Sequence, residues 1–207
     1  MEKSKWLSYW FQVEAVQFNF DQGFQWASGI QSPIYIDNRR LLSIPETRKA
    51  VLEWLKASLL ELDLSFTHIA GVATGAIGYA LLLADEWRMP FFYVRPKAKT
   101  HGLKKQIEGI CPPDASVLLI EDLVSTGESV ASAKAAIEQT GAKVISTYAL
   151  FSYHLPTVHQ RLSPFQSLFT FPDLMAYVEN EKILNFDQIQ ILNAWHKKLI
   201  SQYGEGN

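Results

Sequence analysis

The chain has 207 residues, of which 48% are hydrophobic, 13% aromatic and 19% charged, with a formal net charge of −2. That is ample apolar material for one substantial core, and the near-neutral balance carries no global signature of nucleic-acid binding. Cys111 is the only cysteine, which excludes an intrachain disulfide and fits a reducing, cytoplasmic setting.

Trp6, Leu7, Trp10, Val13 and Phe18 recur near helical spacing and predict an amphipathic helix within residues 4–18. No uninterrupted apolar core with a small-residue cleavage site follows Met1, so no signal peptide is expected. "SGIQSPIYID" reads as a turn and a short strand. Ser43 stands three residues before Glu46, with Pro45 between them, which predicts a capping box opening the helix "SIPETRKAVLEWLKASLLEL". Its Val51, Leu52, Leu55, Leu59 and Leu62 form one apolar stripe.

From there the chain alternates. "THIAGVA", "FFYVR", "SVLLIE" and "KVISTYALF" read as strands, with helices at "AIGYALLLADEW" and "GESVASAKAAIEQTG". "SLFTF" and a last helix carrying Phe186, Ile189, Leu192, Trp195 and Leu199 follow. Near-continuous apolar strands between helices indicate a parallel sheet covered on both faces. The expected fold is α/β: a doubly wound, mainly parallel sheet flanked by helices, with ligands at the carboxyl ends of the strands. No repeat or linker divides residues 1–207, so one domain is expected. The longest weakly polar run, "AGVATGAIGYALLLA", spans 15 residues and holds three glycines, too short for a typical membrane span. Between Val94 and Ser116 lie about 20 residues without a helical or strand period, and connections that long are usually functional lids or disordered.

The chemistry concentrates in "VLLIEDLVSTGESV", residues 117–130. Glu121 and Asp122 end a predicted buried strand, and Ser125 to Ser129 lead into a helix. Backbone N–H groups and hydroxyls there converge on the positive end of a helix dipole, an arrangement that binds phosphate. The adjacent carboxylates suit vicinal sugar hydroxyls or, through water, a magnesium ion. A turn and a helix cap account for Ser125 and Thr126 but give no reason for two desolvated acids. No glycine precedes a lysine, which excludes a P-loop, and "GVATGAIG" lacks the dinucleotide spacing. It reads as a second tight strand-to-helix turn. The five histidines show no ligand spacing, so no protein-built metal site is expected, and the six tryptophans read as core.

The lid "VRPKAKTHGLKKQIEG" holds Arg95, Lys97, Lys99, Lys104 and Lys105 against Glu108, a charge of +4 in a chain of −2. Lys97, Lys99 and His101 alternate and would project from one side of an extended chain. Gly102 and Gly109 supply hinge freedom. A cationic flap able to close over a polyanion results.

"LLIEDLVSTGESV" resembles the phosphoribosyl pyrophosphate (PRPP) motif of type I phosphoribosyltransferases. "FQWASGIQSPIYIDNR" and "RPKAKTHG" followed by "IEG" resemble the N-terminal hood and catalytic loop of the orotate phosphoribosyltransferases, in the family's order. The resemblance implies conversion of orotate and PRPP to orotidine 5′-monophosphate and pyrophosphate, with magnesium, in pyrimidine synthesis. It implies a small hood of about residues 1–42 plus C-terminal elements, and a flexible loop at 96–110. PRPP would be held by Arg95, Lys99 and His101 and by Glu121, Asp122, Leu123, Val124, Ser125, Thr126, Gly127, Glu128 and Ser129. Ser125 would also meet orotate, and Lys99 would act on the leaving pyrophosphate. Magnesium would be held mainly by PRPP and water. The family's loop closes over the partner's site in a homodimer, so small-molecule substrates and a second copy are the expected partners, with no nucleic acid and no membrane.

Many bacterial relatives have lysine where this chain has Ala27, Gly75 and Pro96, and an arginine after the last core strand, where this chain reads "FSYH". A second branch lacks these groups too, and this chain resembles it. The group that meets the orotate carboxylate is left open, with Arg39 one candidate and a surface arginine the plainer reading. Two rivals stand beside this one: a transferase of the same fold for uracil or a purine, and a PRPP-sensing regulator that binds nucleic acid. The regulator would be expected to show a basic face outside the lid, where 14 Lys and Arg face 20 acids.

Overall fold

A computed structural model of the chain describes residues 3–26, 28–96 and 106–203. Helix α1 (Lys3–Gln12) ends well before residue 18. The chain turns at Glu14, which takes φ 53°, and Phe18 falls instead in strand β1 (Val16–Phe18). The apolar spacing runs across the break because Trp10, Val13 and Val16 are all buried in one core. Strands β2 (Phe24–Gln25) and β3 (Gln31–Ser32) form a short antiparallel hairpin, and β4 (Ile34–Ile36) pairs antiparallel with β1.

A 3-10 turn at Asn38–Leu42 leads into α2 (Pro45–Leu60). The predicted capping box does not form. Ser43 is helical itself, and its N–H closes the preceding turn on the Arg40 carbonyl. An N-cap needs extended backbone, and Ile44 supplies it, without a side-chain cap and with Pro45 in the first turn.

The remaining elements are β5 (His68–Val72), α3 (Ile77–Glu86), β6 (Phe91–Val94), β7 (Ile107–Glu108), β8 (Ser116–Val124) and α4 (Glu128–Glu138). After them come β9 (Lys143–Ser152), α5 (Pro156–Leu162), β10 (Phe165–Thr170), α6 (Phe171–Asn180) and α7 (Phe186–Tyr203). Six strands make one sheet in the order β10-β9-β8-β5-β6-β7, parallel except for β7. Strand β7 lies in the stretch that shows no period in sequence, because two residues are too few to show one. Helices α5 and α6 were not foreseen either, although Thr170 and Asp173 form a complete capping box on α6.

The sheet reverses its winding between β5 and β8, so their carboxyl ends border the crevice where ligands of doubly wound sheets bind. Asn38, fully buried, fixes the elements around that crevice. Its Oδ1 accepts from Trp10 Nε1 of α1 at 2.6 Å, and its Nδ2 donates to the Asp122 carbonyl of β8 at 2.5 Å. The Tyr79 hydroxyl of α3 donates to its backbone carbonyl at 2.5 Å. Asn38→Ala strands a buried indole N–H and a strand carbonyl together. It should cost about 2–4 kcal/mol of stability, read as a lower urea midpoint.

Candidate active site

Strand β8 runs two residues past Asp122, farther than its apolar run suggests, so both acids sit within the strand rather than at its end. Glu121 is 5% exposed and its Oε1 accepts the Asp122 N–H at 2.9 Å. Burial raises the Glu121 carboxyl well above the ordinary carboxylate range, and repulsion from Asp122 adds to the effect. Burial raises Asp122 too, against the opposing pull of the hydrogen bond with Glu121 and the Arg39 charge. The folded pair therefore retains a proton at pH values where free carboxyls have lost theirs.

Across the crevice, the β5–α3 turn is as tight as its glycines suggest. A Cβ on Gly75 would overlap the Asp122 carboxylate, and one on Gly71 would press on Ala80 at 3.0 Å. The space a side chain would take at 75 is thus occupied by an acid from the neighbouring strand.

Beyond Val124 the chain bends through Ser125 and Thr126 to Gly127, which takes φ 80° and caps α4. The first N–H groups of α4 have no acceptor within the helix. Ser125 is half-buried, Thr126 and Gly127 are buried, and Glu128 and Ser129 are exposed. Arg161 of α5 lies 3.5 Å from the Thr126 carbonyl.

A cleft of about 540 Å³ opens beside this loop. Trp26, Ser28, Tyr35 and Ile36 of the N-terminal segment face Leu123, Ser125, Thr126, Glu128 and Ser129, with Tyr153 after the end of β9. The structure thus gathers Leu123 and most of the Ser125–Ser129 loop on one cleft wall, with the two acids just before them on the same strand. Arg95 stands apart, just after the end of β6. Its N–H donates to Gln106 O at 2.9 Å, and its guanidinium lies 3.6 Å from the Glu108 carboxylate. Lys97, Lys99, His101, Gly102, Lys104, Lys105 and Ala27 lie outside the described residues.

Sequence reasoning missed Trp26, Tyr35 and Tyr153 as cleft residues. Trp26, read as core, is only partly buried and lines the cleft. Its position and that of Tyr35 fell inside the quoted hood segment, but nothing local marks Tyr153. Arg39 is held by Asp37 through Nε at 2.6 Å and an Nη at 3.0 Å, and it does not line the cleft.

Among the described residues no group of three or more His, Cys, Asp or Glu could hold a metal ion. A hard cation beside Glu121 and Asp122 would therefore take most of its oxygens from a bound phosphate ligand and water.

The switch point of this doubly wound sheet thus holds two adjacent acids and a helix-capping turn, as the phosphoribosyltransferase resemblance leads one to expect. Residues 37–170 match the phosphoribosyl transferase domain family. The chain is 38% identical over 189 residues to orotate phosphoribosyltransferase of Coxiella burnetii, covering 89% of this chain and 90% of that one. It is 37% identical over 199 residues to the Bacillus pumilus protein of the same name, covering 94% of each. Among solved structures, Leishmania donovani UMP synthase superposes with a TM-score of 0.78 at 25% identity, over 98% of this chain and 43% of that one. The orotate phosphoribosyltransferase of Aeropyrum pernix gives 0.70 at 25% identity, over 86% and 99%. The chain belongs to the orotate phosphoribosyltransferase family.

Because the folded Glu121–Asp122 pair binds a proton that the unfolded chain releases above about pH 4.3, stability should fall as pH rises from there. Melting midpoints of the ligand-free protein should drop between about pH 5 and pH 8. Glu121→Gln keeps an acceptor for the Asp122 N–H but cannot ionise, so its drop should be much smaller.

Proposed function

We propose that this protein transfers the 5-phosphoribosyl group of PRPP to orotate, giving orotidine 5′-monophosphate and pyrophosphate in pyrimidine synthesis. The observation that carries this reading is the Glu121–Asp122 pair, Glu121 buried and Asp122 half-buried, next along the strand to the loop that caps α4, on one wall of a cleft roofed by the N-terminal segment. In this reading the 5′-phosphate takes the free N–H groups of α4 and the hydroxyls of Ser125, Thr126 and Ser129. The ribose hydroxyls donate to Glu121 and Asp122. The base then lies between Ser125 and the roof. Relatives 37–39% identical over most of their length carry the orotate name, whereas adenine phosphoribosyltransferases in the structural comparison share only the fold.

Transfer needs no enzyme nucleophile. The bond from the anomeric carbon to pyrophosphate loosens, positive charge builds on the ribose, and orotate N1 attacks the opposite face. Arg95, Lys99 and His101 supply positive charge to the departing pyrophosphate. Magnesium, arriving with PRPP, adds charge to the same phosphates when bound. Closure of the lid excludes water that would hydrolyse PRPP. No helix among the described residues is long and apolar enough to cross a membrane, and a cytoplasmic setting fits the substrates.

Orotate absorbance should fall only when protein, PRPP and magnesium are all present. Turnover of adenine, hypoxanthine or uracil with none of orotate would overturn the assignment.

We further propose that two copies share sites, the lid of one closing over the crevice of the other. Lys99→Ala and Asp122→Ala should each be nearly inactive alone. Unfolded together and refolded as an equal mixture, they should form about half mixed dimers and regain about a quarter of wild-type activity, because one site per mixed dimer is intact. A lid acting within its own subunit leaves the mixture as inactive as its parents.

A further inference from the structure

The cleft poses a problem for an anionic base. Among the described residues none of its lining side chains is Lys or Arg, and Glu128 adds a carboxylate. Arg39 is bound to Asp37 on both carboxylate oxygens. The Trp26 indole N–H donates to the Ile34 carbonyl at 3.3 Å. Among the described cleft-lining side chains, those left to meet a carboxylate are neutral hydroxyls.

Tyr153 stands out among them. Its backbone is held on both sides: the N–H donates to Val124 O at 3.0 Å, and the carbonyl lies 2.6 Å from His196 Nε2 of α7. The ring is enclosed by Trp26, Phe151 and Trp195, with centroids 4.7, 5.2 and 5.7 Å away, and the residue is 1% exposed. The hydroxyl makes no hydrogen bond among the described residues. Among the described residues the sealed polar side-chain atoms without partners are Trp6 Nε1 and Thr147 Oγ1, and this hydroxyl is not one of them. Among the described residues, then, this cleft-lining residue has a hydroxyl that is neither bonded nor fully sealed.

We propose that the Tyr153 hydroxyl donates to the carboxylate of the pyrimidine base and so sets the preference for a 6-carboxylated base over uracil. This rests on the orotate reading above. The caged ring holds the donor in place before the base arrives, so little rotamer freedom remains to be lost on binding. Burial pushes the phenol well above its ordinary pKa, so it stays a donor at every working pH. A base without the carboxylate leaves this hydroxyl buried and unpaired, which is how a polar site rejects an analogue lacking the group it was built to bind.

Tyr153→Phe removes the hydroxyl and keeps the ring. The KM for orotate should rise about tenfold or more, the scale of one hydrogen bond to a charged group. The KM for PRPP should stay within about twofold, and preference for orotate over uracil should fall by the same factor as the orotate affinity. The ligand side is tested in parallel with orotate methyl ester as a competitive inhibitor. Wild type should bind the acid far more tightly than the ester, and the variant should bind the two nearly alike. An unchanged orotate KM, or equal rises in both KM values, overturns the proposal. If the variant melts too early to assay, equal binding of acid and ester by wild type overturns it and strong preference for the acid supports it. Failure of wild type to consume orotate would instead overturn the functional reading itself.

Discussion

The geometry of the crevice depends on one buried amide. Asn38 joins α1, α3 and β8, three elements that are far apart in sequence, through hydrogen bonds that have no competing water. Inside a protein such bonds are stronger than in water, and leaving one unmade is correspondingly expensive. Any slide of the N-terminal segment across the sheet would strand the Trp10 N–H and the Asp122 carbonyl at once. Because β4 ends two residues before Asn38, the same contact sets where Tyr35 and Ile36 face the Ser125–Ser129 loop. The roof of the cleft and its floor are thus positioned by one side chain.

The acids on the floor work against stability. Two carboxyls share a desolvated strand end without a buried cation among the described residues beside them, and the fold answers by keeping a proton there. Such a pair is the kind of local cost that folds retain at functional sites, and it is offset by the apolar core on both faces of the sheet. The C-terminal helix contributes from the other side. Trp195 Nε1 donates to Gln31 O at 2.9 Å, and His196 holds the Tyr153 carbonyl, so α7 braces the β2–β3 hairpin and the back of the cleft together.

What could be read from the sequence was whatever is local. Strands β5, β6, β8 and β9 show as apolar runs because both of their faces are buried, and the loop from Glu121 to Ser129 is one contiguous segment. Elements of two residues such as β2 and β7 have no period to detect. The false capping box at Ser43 arose because a 3-10 turn ran straight into the helix, and side-chain spacing does not report backbone angles. Helix α1 was read too long because helix and strand bury side chains in the same core. The cleft was half legible for the same reason. Ser125 and Thr126 belong to a motif, whereas Tyr153 acquires its place only when β9 aligns beside β8 and α7 folds back over it.

The exclusion between Gly75 and Asp122 constrains how this sequence can change over generations. A side chain at 75 and the Asp122 carboxylate as it lies here claim the same space, so a substitution at 75 obliges the acid to swing aside. A lineage that acquires a longer residue at 75 must first move or lose the acid, or pass through a crowded intermediate. The two positions are 47 residues apart in the chain, yet a change at one is felt at the other. What a longer residue at 75 costs is set by how freely the Asp122 side chain can turn beside Glu121.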